Sequence, residues 1–454
     1  MERAAATDAG VWLNLGSVGN AGEGQVEIKP EKLFGRHCAI LGATGGGKSW
    51  TTARLIEECL KHNAKVILLD PTGEYRDIGG SAAQHVHFGD QTSGAAKCDP
   101  KSQSSSRQCA LPPNAFLESD FLAMFEPSGK VQGPKMRAAI RSLRLAELKP
   151  DLAADGLIRK AEQKKNPIVC AERENAKTLE DPYTPFDVTR LVEQIQEECV
   201  LPDARGTTYG STDASRWGVR ADSDIGHCLS LLTRISGLLC SASFRPILGA
   251  GDDATNITKV MDDFLDSDAK ATPAEPTQLL RIDLSHVSHE FRAREIVSNA
   301  IARMLLTKAR EGTFRQRPLL VVLDEAHHFL GRTIGNEDTI AKLDAFELIA
   351  REGRKYGLNL CLATQRPRDI TEGVLSQMGT LIVHRLTNER DREVVERACG
   401  EIDRAATAFL PNLKPGEAAI VGADFPIPLT ICIHAPTTRP LSDGPNYQEH
   451  WAKG

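Results

Sequence analysis

Aromatic residues are scarce, at 5% of 454 positions, and the features of a disulfide scaffold are missing. The eleven cysteines are an odd number scattered from Cys38 to Cys432, and no two of them form a C-x-x-C pair. That excludes a zinc ribbon or a stapled miniprotein. It fits structural thiols in a reducing, cytoplasmic setting. No window approaches 18 uninterrupted apolar residues, so no membrane span is expected. No apolar core follows Met1-Glu2-Arg3, so no secretory signal is expected either. No internal repeat is visible. Basic residues number 55 against 61 acidic, a net charge of −6. A basic coat over the whole surface is thereby excluded, while local basic patches stay open. The chain contains no N-K-x-D to read guanine, which argues against a GTPase, and no L-S-G-G-Q of the transporter-type ATPases.

What is present is ordinary globular composition, 41% hydrophobic and 26% charged. The length suits two to three domains, or one large core with insertions. Residues 1–35 read as a short N-terminal β segment, with Val11–Leu15 and Gln25–Ile28 as two strands of a small sheet. Residues 36–90 open an α/β core. His37–Leu41 is a buried strand, Lys48–Leu60 a helix and Val66–Leu69 a second strand, the order of a parallel pair with a crossover helix. Residues 91–235 read as a helical insertion that begins with a polar loop, Gln91–Pro113. Its helical patterns include Met136/Ile140/Leu143 and Leu191/Ile195/Cys199. Between Lys130 and Lys177 stand 12 Lys/Arg and 6 Asp/Glu, and Arg137, Arg141 and Arg144 fall at helical spacing. Residues 236–434 return to the α/β rhythm. Strands are expected at Gln278–Leu284, Leu319–Leu323, Leu358–Ala363, Leu381–Leu386 and Ala418–Val421, with helices between. A mainly parallel sheet wrapped by helices follows. Residues 435–454 are a polar tail.

Gly42-Ala43-Thr44-Gly45-Gly46-Gly47-Lys48-Ser49 matches G-x-x-x-x-G-K-[ST] between an apolar strand and a helix. Glycines let backbone N–H groups curl around an anion without Cβ clashes. The following helix N-terminus adds a positive dipole. Lys48 would reach the β- and γ-phosphates of ATP, Ser49 would ligate Mg²⁺, and Trp50 continues the nucleotide-binding segment. Val321–Leu323 is an apolar strand ending in Asp324-Glu325. Asp324 would hold the Mg²⁺ hydration shell and Glu325 would orient and polarise the attacking water. The spelling Asp-Glu-Ala-His is also that of DEAH-box helicases. Those need a second RecA-like domain, for which the 88 residues after Arg366 are too few.

Leu360–Thr364 is a buried strand ending in Gln365. In a parallel sheet that end lines the ligand edge, where Gln365 would contact the γ-phosphate or the lytic water. In Arg351-Glu352-Gly353-Arg354 one or two cations are expected at a helix C-terminus by dipole alone, while the functional reading is an arginine finger for a neighbouring subunit, Arg354 first and Arg351 second. Such a finger is worth roughly 10³–10⁵ in kcat. Arg36 is a candidate phosphate-proximal cation. Asp70 and Glu74, after the second strand, either join the Mg²⁺ and water network or are solvated turn acids.

Together these residues resemble the HerA/FtsK superfamily of ring ATPases, HerA most of all. The resemblance rests on the loop at 42–49, Asp70–Tyr75, Asp324–His327, Glu352–Gly357, Ala363–Pro367, Ser376–Thr380 and Arg385–Asn388. It implies a RecA-like core in a homohexameric ring, ATP at subunit boundaries and double-stranded DNA in the channel. It also implies work beside a nuclease of the NurA kind, or beside a phage-defence effector such as a Sir2-like protein. HerA proteins usually begin with a β-barrel of domain size, whereas about 35 residues precede the core here. A reduced barrel is the expectation. The Arg137/Arg141/Arg144 face, the segment after Gln365 and the loop near Gly331–Asn336 are candidates to line the channel. No aromatic-interleaved basic groove stands out, so sequence-specific DNA reading is not expected. The reading is an ATP-dependent DNA translocase. Its alternative is a ring scaffold in which ATP binding assembles and activates a partner with little translocation.

Overall fold

The structure, a computed structural model, describes residues 10–19, 24–89, 106–112, 115–206, 210–241, 244, 247–248, 255–267, 277–288, 292–330, 333–334, 341–398 and 408–442. Most of the polar loop after Gln91 and most of the Gly331–Asn336 loop fall outside them.

Thirteen strands form one sheet. In chain order they are β1 (Leu13–Val18), β2 (Gly24–Ile28), β3 (Cys38–Leu41), β4 (Lys65–Asp70), β5 (Ala83–His87), β6 (Arg107–Ala110), β7 (Thr255–Asn256), β8 (Leu279–Asp283), β9 (Leu319–Leu323), β10 (Leu358–Thr364), β11 (Thr380–Val383), β12 (Glu417–Gly422) and β13 (Phe425–Ile433). Their spatial order is β2-β1-β13-β12-β11-β3-β10-β9-β4-β8-β5-β6-β7. From β11 to β7 every pairing is parallel, and from β11 to β2 every pairing is antiparallel. The α/β, mainly parallel core expected from the sequence is present.

The central strands are mostly apolar, as suits strands covered by helices on both faces. Side chains alternate between two cores at the strand period of two. Ala39, Leu41, Ile67, Leu69, Val321, Leu323, Leu360 and Leu362 face one way, toward the helices of residues 118–310. Cys38, Ile40, Val66, Leu68, Val322, Cys361 and Ala363 face the other, onto Ala53, Leu55, Ile56 and Cys59 of helix α1 (Lys48–Lys61). Each fully buried Val or Leu is worth about 1.5–3 kcal/mol, so a one-residue register slip, which would exchange the two faces, is strongly opposed.

Two expectations differ from the observed fold. β1 and β2 are not a separate small sheet. Gly16 and Ser17 of β1 pair with Ile433 and Cys432 of β13 and extend the main sheet. β5, β6 and β13 also lack the apolar runs by which a strand is recognised; polar His85, His87, Arg107 and Gln108 stand in them, and Pro426 and Pro428 interrupt the last. In the helical region, α2 (Gly129–Leu148) buries Met136, Ile140 and Leu143 as its periodicity requires.

Candidate active site

The carboxyl ends of β3, β10, β9 and β4 bring the phosphate loop, Gln365, the acidic pair and Asp70 to one sheet edge. The loop Gly42–Ser49 is anchored where it leaves β3, the Ala43 N–H donating to the Arg385 carbonyl at 3.0 Å, and it folds on itself through Gly46 N–H to the Ala43 carbonyl at 3.1 Å. Gly45 and Gly47 adopt φ of 73° and 106°, open to glycine and strained for other residues. Lys48 begins α1 and is buried, so its ammonium and the helix N-terminus sit together in an anion-receiving position.

A continuous chain of polar side chains crosses the cleft. Thr44 Oγ1 lies 2.5 Å from Gln365 Oε1, and Gln365 Nε2 donates to Glu325 Oε1 at 2.7 Å. Glu325 Oε2 lies 3.2 Å from His327 Nδ1, which is 3.1 Å from Thr364 Oγ1. Glu325 holds a left-handed backbone (φ 44°, ψ 48°). For a residue with a side chain that costs about 1–3 kcal/mol, and such strain is kept where the surroundings demand it.

The acids differ in charge state. Burial alone would raise Glu325, but His327, Lys48 and Gln365 more than offset it and hold the carboxyl below its ordinary value. It is therefore ionised and able to accept a proton. Burial, with Asp70, Glu325 and Glu74 nearby, pushes Asp324 well above the carboxylate range, Lys48 pulling back. Burial likewise raises Glu74, with Asp70 and Glu325 pushing the same way against a hydrogen bond from Ser49. Glu74 Oε2 is buried and unpartnered. An acidic cluster short of positive charge beside a phosphate loop suits a cation. Among the described residues no three His, Cys, Asp or Glu side chains form a cation cage of their own. Mg²⁺ is commonly held by one or two protein ligands together with substrate phosphates and water. Ser49 and Asp324 are the residues that could hold it.

Three sequence expectations change, and Trp50 is found to have a partner. Asp70 is neither a solvated turn acid nor free for a metal network. Fully buried, it accepts from the backbone N–H groups of Gly73 at 2.7 Å and Tyr75 at 3.0 Å and from Arg281 at 2.7 and 2.8 Å. It shapes the turn that places Glu74. Arg36 is not phosphate-proximal. It precedes β3 at the amino edge, packed against Gly379, with four strand residues of about 3.3 Å each before the loop. Trp50 stacks its ring under the Arg439 guanidinium, 5.5 Å away. The segment carrying Arg439 is docked on α1, Thr437 and Thr438 N–H donating to Glu57 and Leu441 N–H to the Glu74 carbonyl. Finally, the Arg137/Arg141/Arg144 face is no open basic stripe. Arg137 pairs with Glu118 and Arg141 with Glu180, while Arg144 is buried and bound to the Leu179, Pro182 and Thr184 carbonyls.

Arg351, in the last turn of helix α3 (Ala345–Glu352), and Arg354, in the turn that follows it, are both exposed and stand at the amino edge, where Arg354 lies near His37 and Arg351 pairs with Glu347 at 3.7 Å. The start of β10, not its end, adjoins them. They are thus outside this chain's own cleft.

Residues 13–200 match the family described as DUF87, Helicase HerA, central domain. A probable helicase of Methanocaldococcus jannaschii is 24% identical over 419 residues, covering 90% of this chain and 68% of the relative. The DNA double-strand break repair helicase HerA of Saccharolobus solfataricus is 23% identical over 436 residues, 94% of this chain and 70% of the relative. Along most of its length the chain is thus similar to helicases of the HerA family. Among solved structures, VirB4 of Thermoanaerobacter pseudethanolicus superposes with a TM-score of 0.51 at 17% identity, covering 97% of this chain and 98% of that one, a likeness of fold.

Three residues of the site carry little or no mark of their role in the sequence. Arg281 carried a signal, a cation inside the apolar run Leu279–Ile282. His327 was spelled out in Asp-Glu-Ala-His but assigned no role. His384, at the end of β11, had no signal beyond being a lone histidine after an apolar strand.

Proposed function

We propose that this HerA-type ATPase is a Mg²⁺-dependent enzyme that hydrolyses ATP to move on double-stranded DNA as a homohexamer. The observation that carries the reading is the convergence of Lys48, Ser49, Asp324, Glu325 and Gln365 on one sheet edge, while Arg354 stands at the other. A ring in which the amino edge of one subunit faces the cleft of the next would join the two halves.

Lys48 and the loop N–H groups would hold the β- and γ-phosphates. Mg²⁺, held at Ser49 and Asp324, would supply charge neutralisation of the phosphate oxygens. Glu325 takes the proton of the attacking water as the water oxygen bonds to the γ-phosphorus and the bond to the β–γ bridging oxygen breaks, releasing ADP. Gln365, touching both Thr44 and Glu325, reports the state of the phosphate loop to the base. Arg354 from a neighbour would offset the charge that builds up on the transferring group. The S. solfataricus relative is named for double-strand break repair, which supports duplex DNA as the substrate. A nuclease or a defence effector is the proposed partner.

The test measures ATP turnover with and without linear duplex DNA, and strand displacement by the Glu325→Gln protein. Stimulation by DNA, with displacement abolished in the variant, is the expected result. A rate indifferent to DNA, with a co-purifying partner activated by ATP binding alone, would replace the motor with the scaffold reading.

A further inference from the structure

His384 lies directly beneath the phosphate loop, and no side chain discussed so far explains the loop's shape from below. β11 runs beside β3, with Val383 opposite Leu41. The His384 N–H then donates to the Leu41 carbonyl at 2.7 Å, and the next residue, Arg385, accepts from Ala43 at the loop's start. The two strands therefore leave the sheet together.

The imidazole is fully buried. Its Nδ1 lies 2.8 Å from the Glu417 carbonyl at the start of β12, and its Nε2 lies 2.8 Å from Thr51 Oγ1 in the first turn of α1. A carbonyl oxygen only accepts, so Nδ1 carries the proton and Nε2 accepts from the Thr51 hydroxyl. One ring thus ties β12 to the helix that carries Lys48 and Ser49. Burial, against the pull of the Glu417 and Gly46 backbone and with Lys48 adding to it, brings the ring to about 4, so it is neutral and contributes shape, not charge.

Three glycines of the motif face this side chain, Gly42 and Gly46 at its Cβ and Gly47 at its ring. A Cβ on Gly42 would stand 2.6 Å from His384 Cβ, one on Gly46 3.4 Å from the same atom, and one on Gly47 3.3 Å from Cε1. The glycines thus serve two purposes. They open positive φ at Gly47, and they let the loop settle onto a histidine.

We propose that His384 is a positioning residue for the phosphate loop: its ring, braced between the Glu417 carbonyl and the Thr51 hydroxyl, holds Gly42–Ser49 in the shape that receives the phosphates. This rests on the reading of the loop as a triphosphate site. An apolar side chain of similar size would fill the space but leave the Glu417 carbonyl and the Thr51 hydroxyl without their partner, and the loop without a fixed floor.

The experiment uses the full chain, with a fluorescent ADP analogue to report affinity and ATP turnover to separate KM from kcat. For His384→Leu we expect at least a tenfold loss of nucleotide affinity and a matching rise in KM, with kcat at saturation within threefold. Asn can replace the Nδ1 donor and Gln the Nε2 acceptor, so His384→Asn or His384→Gln should recover part of the affinity that His384→Leu loses. Thr51→Val should weaken affinity several-fold, and combined with His384→Leu it should add little, since both cut the same link. The inference is overturned if folded His384→Leu protein binds the analogue within twofold of the unaltered chain, or if it loses kcat alone. If that variant does not fold, Thr51→Val decides, and unchanged affinity there overturns the inference. Failure of the unaltered chain to bind any nucleotide would instead overturn the triphosphate reading beneath it.

Discussion

Gln365 donates its side-chain N–H to Glu325 Oε1 at 2.7 Å while its own oxygen lies 2.5 Å from Thr44 Oγ1. One amide therefore ties the proposed base to the loop proposed to hold the phosphates. A polar bridge of this kind changes when a phosphate competes for the Thr44 hydroxyl. Removing the amide in Gln365→Ala should leave Glu325 with His327 as its side-chain partner. Turnover is expected to fall about 10²-fold, a loss within the usual reach of acid–base positioning, with KM for ATP nearly unchanged. A KM that rises while kcat holds would show that Gln365 serves binding instead.

Arg281 and Asp70 form a buried pair, 2% and 0% exposed at the side chain, with Asp283 on the same guanidinium at 2.8 Å. Taking away one member of such a pair leaves an uncompensated charge and costs about 3–5 kcal/mol. Arg281→Met is expected to lower the urea midpoint accordingly. Arg351→Ala, which cuts an exposed pair, should change it by less than about 1 kcal/mol. Equal midpoints for the two variants would contradict the structural role assigned to Asp70.

Burial and the neighbouring carboxylates Asp70, Glu325 and Glu74 disfavour a charge on Asp324. Its folded-state affinity for protons is raised, so the folded chain binds more protons than the unfolded one above the ordinary carboxylate range, and stability falls as pH rises through that interval. Wherever the group is ionised, its burial is a cost. Asp324→Asn should therefore raise the melting temperature without nucleotide while hydrolysis is lost. A lower melting temperature would mean that the carboxylate holds structure we have not assigned to it.

Three buried histidines give the opposite slope. His37, His85 and His384 are each pushed by burial from 6.5 to about 4. In the window between those values the unfolded chain takes up protons that the folded chain refuses. The stability they contribute is whole above about 6.5 and is lost as pH falls toward 4. Urea midpoints of the Asp324→Asn protein, in which one opposing carboxylate is silenced, should drop steadily from pH 7 to pH 5. A flat profile would place at least some of these rings in contact with solvent.

Arg354 sits at the amino edge, away from its own phosphate loop. Arg354→Ala is expected to bind nucleotide normally and to lose roughly 10³-fold or more in hydrolysis, as arginine fingers do. Mixing it with Glu325→Gln protein should restore part of the activity, because an intact cleft and an intact arginine can then meet across a boundary. Full activity of Arg354→Ala alone would remove the finger from that position.

By itself, the sequence determined the parallel core and most of the cleft. Val321–Leu323 followed by Asp324-Glu325, and His37–Leu41 followed by the glycine loop, are local patterns, and a short apolar run ending in chemistry identifies itself without distant partners. It also determined the buried face of α2, since Met136, Ile140 and Leu143 recur at the helical period. Tertiary structure alone decided which charges were available. Arg144 lies in sequence register with Arg137 and Arg141, yet chain from residues 179–184 folds over it and takes its donors. Asp70 reads as a turn acid until β8 arrives beside β4 and sets Arg281 against it. His384 is a single letter until β11 lies along β3 and brings the ring under Gly42. The physical reason is common to all three: hydrophobic periodicity is written along the chain, whereas the partner that buries, neutralises or aims a polar group comes from a segment far away in sequence.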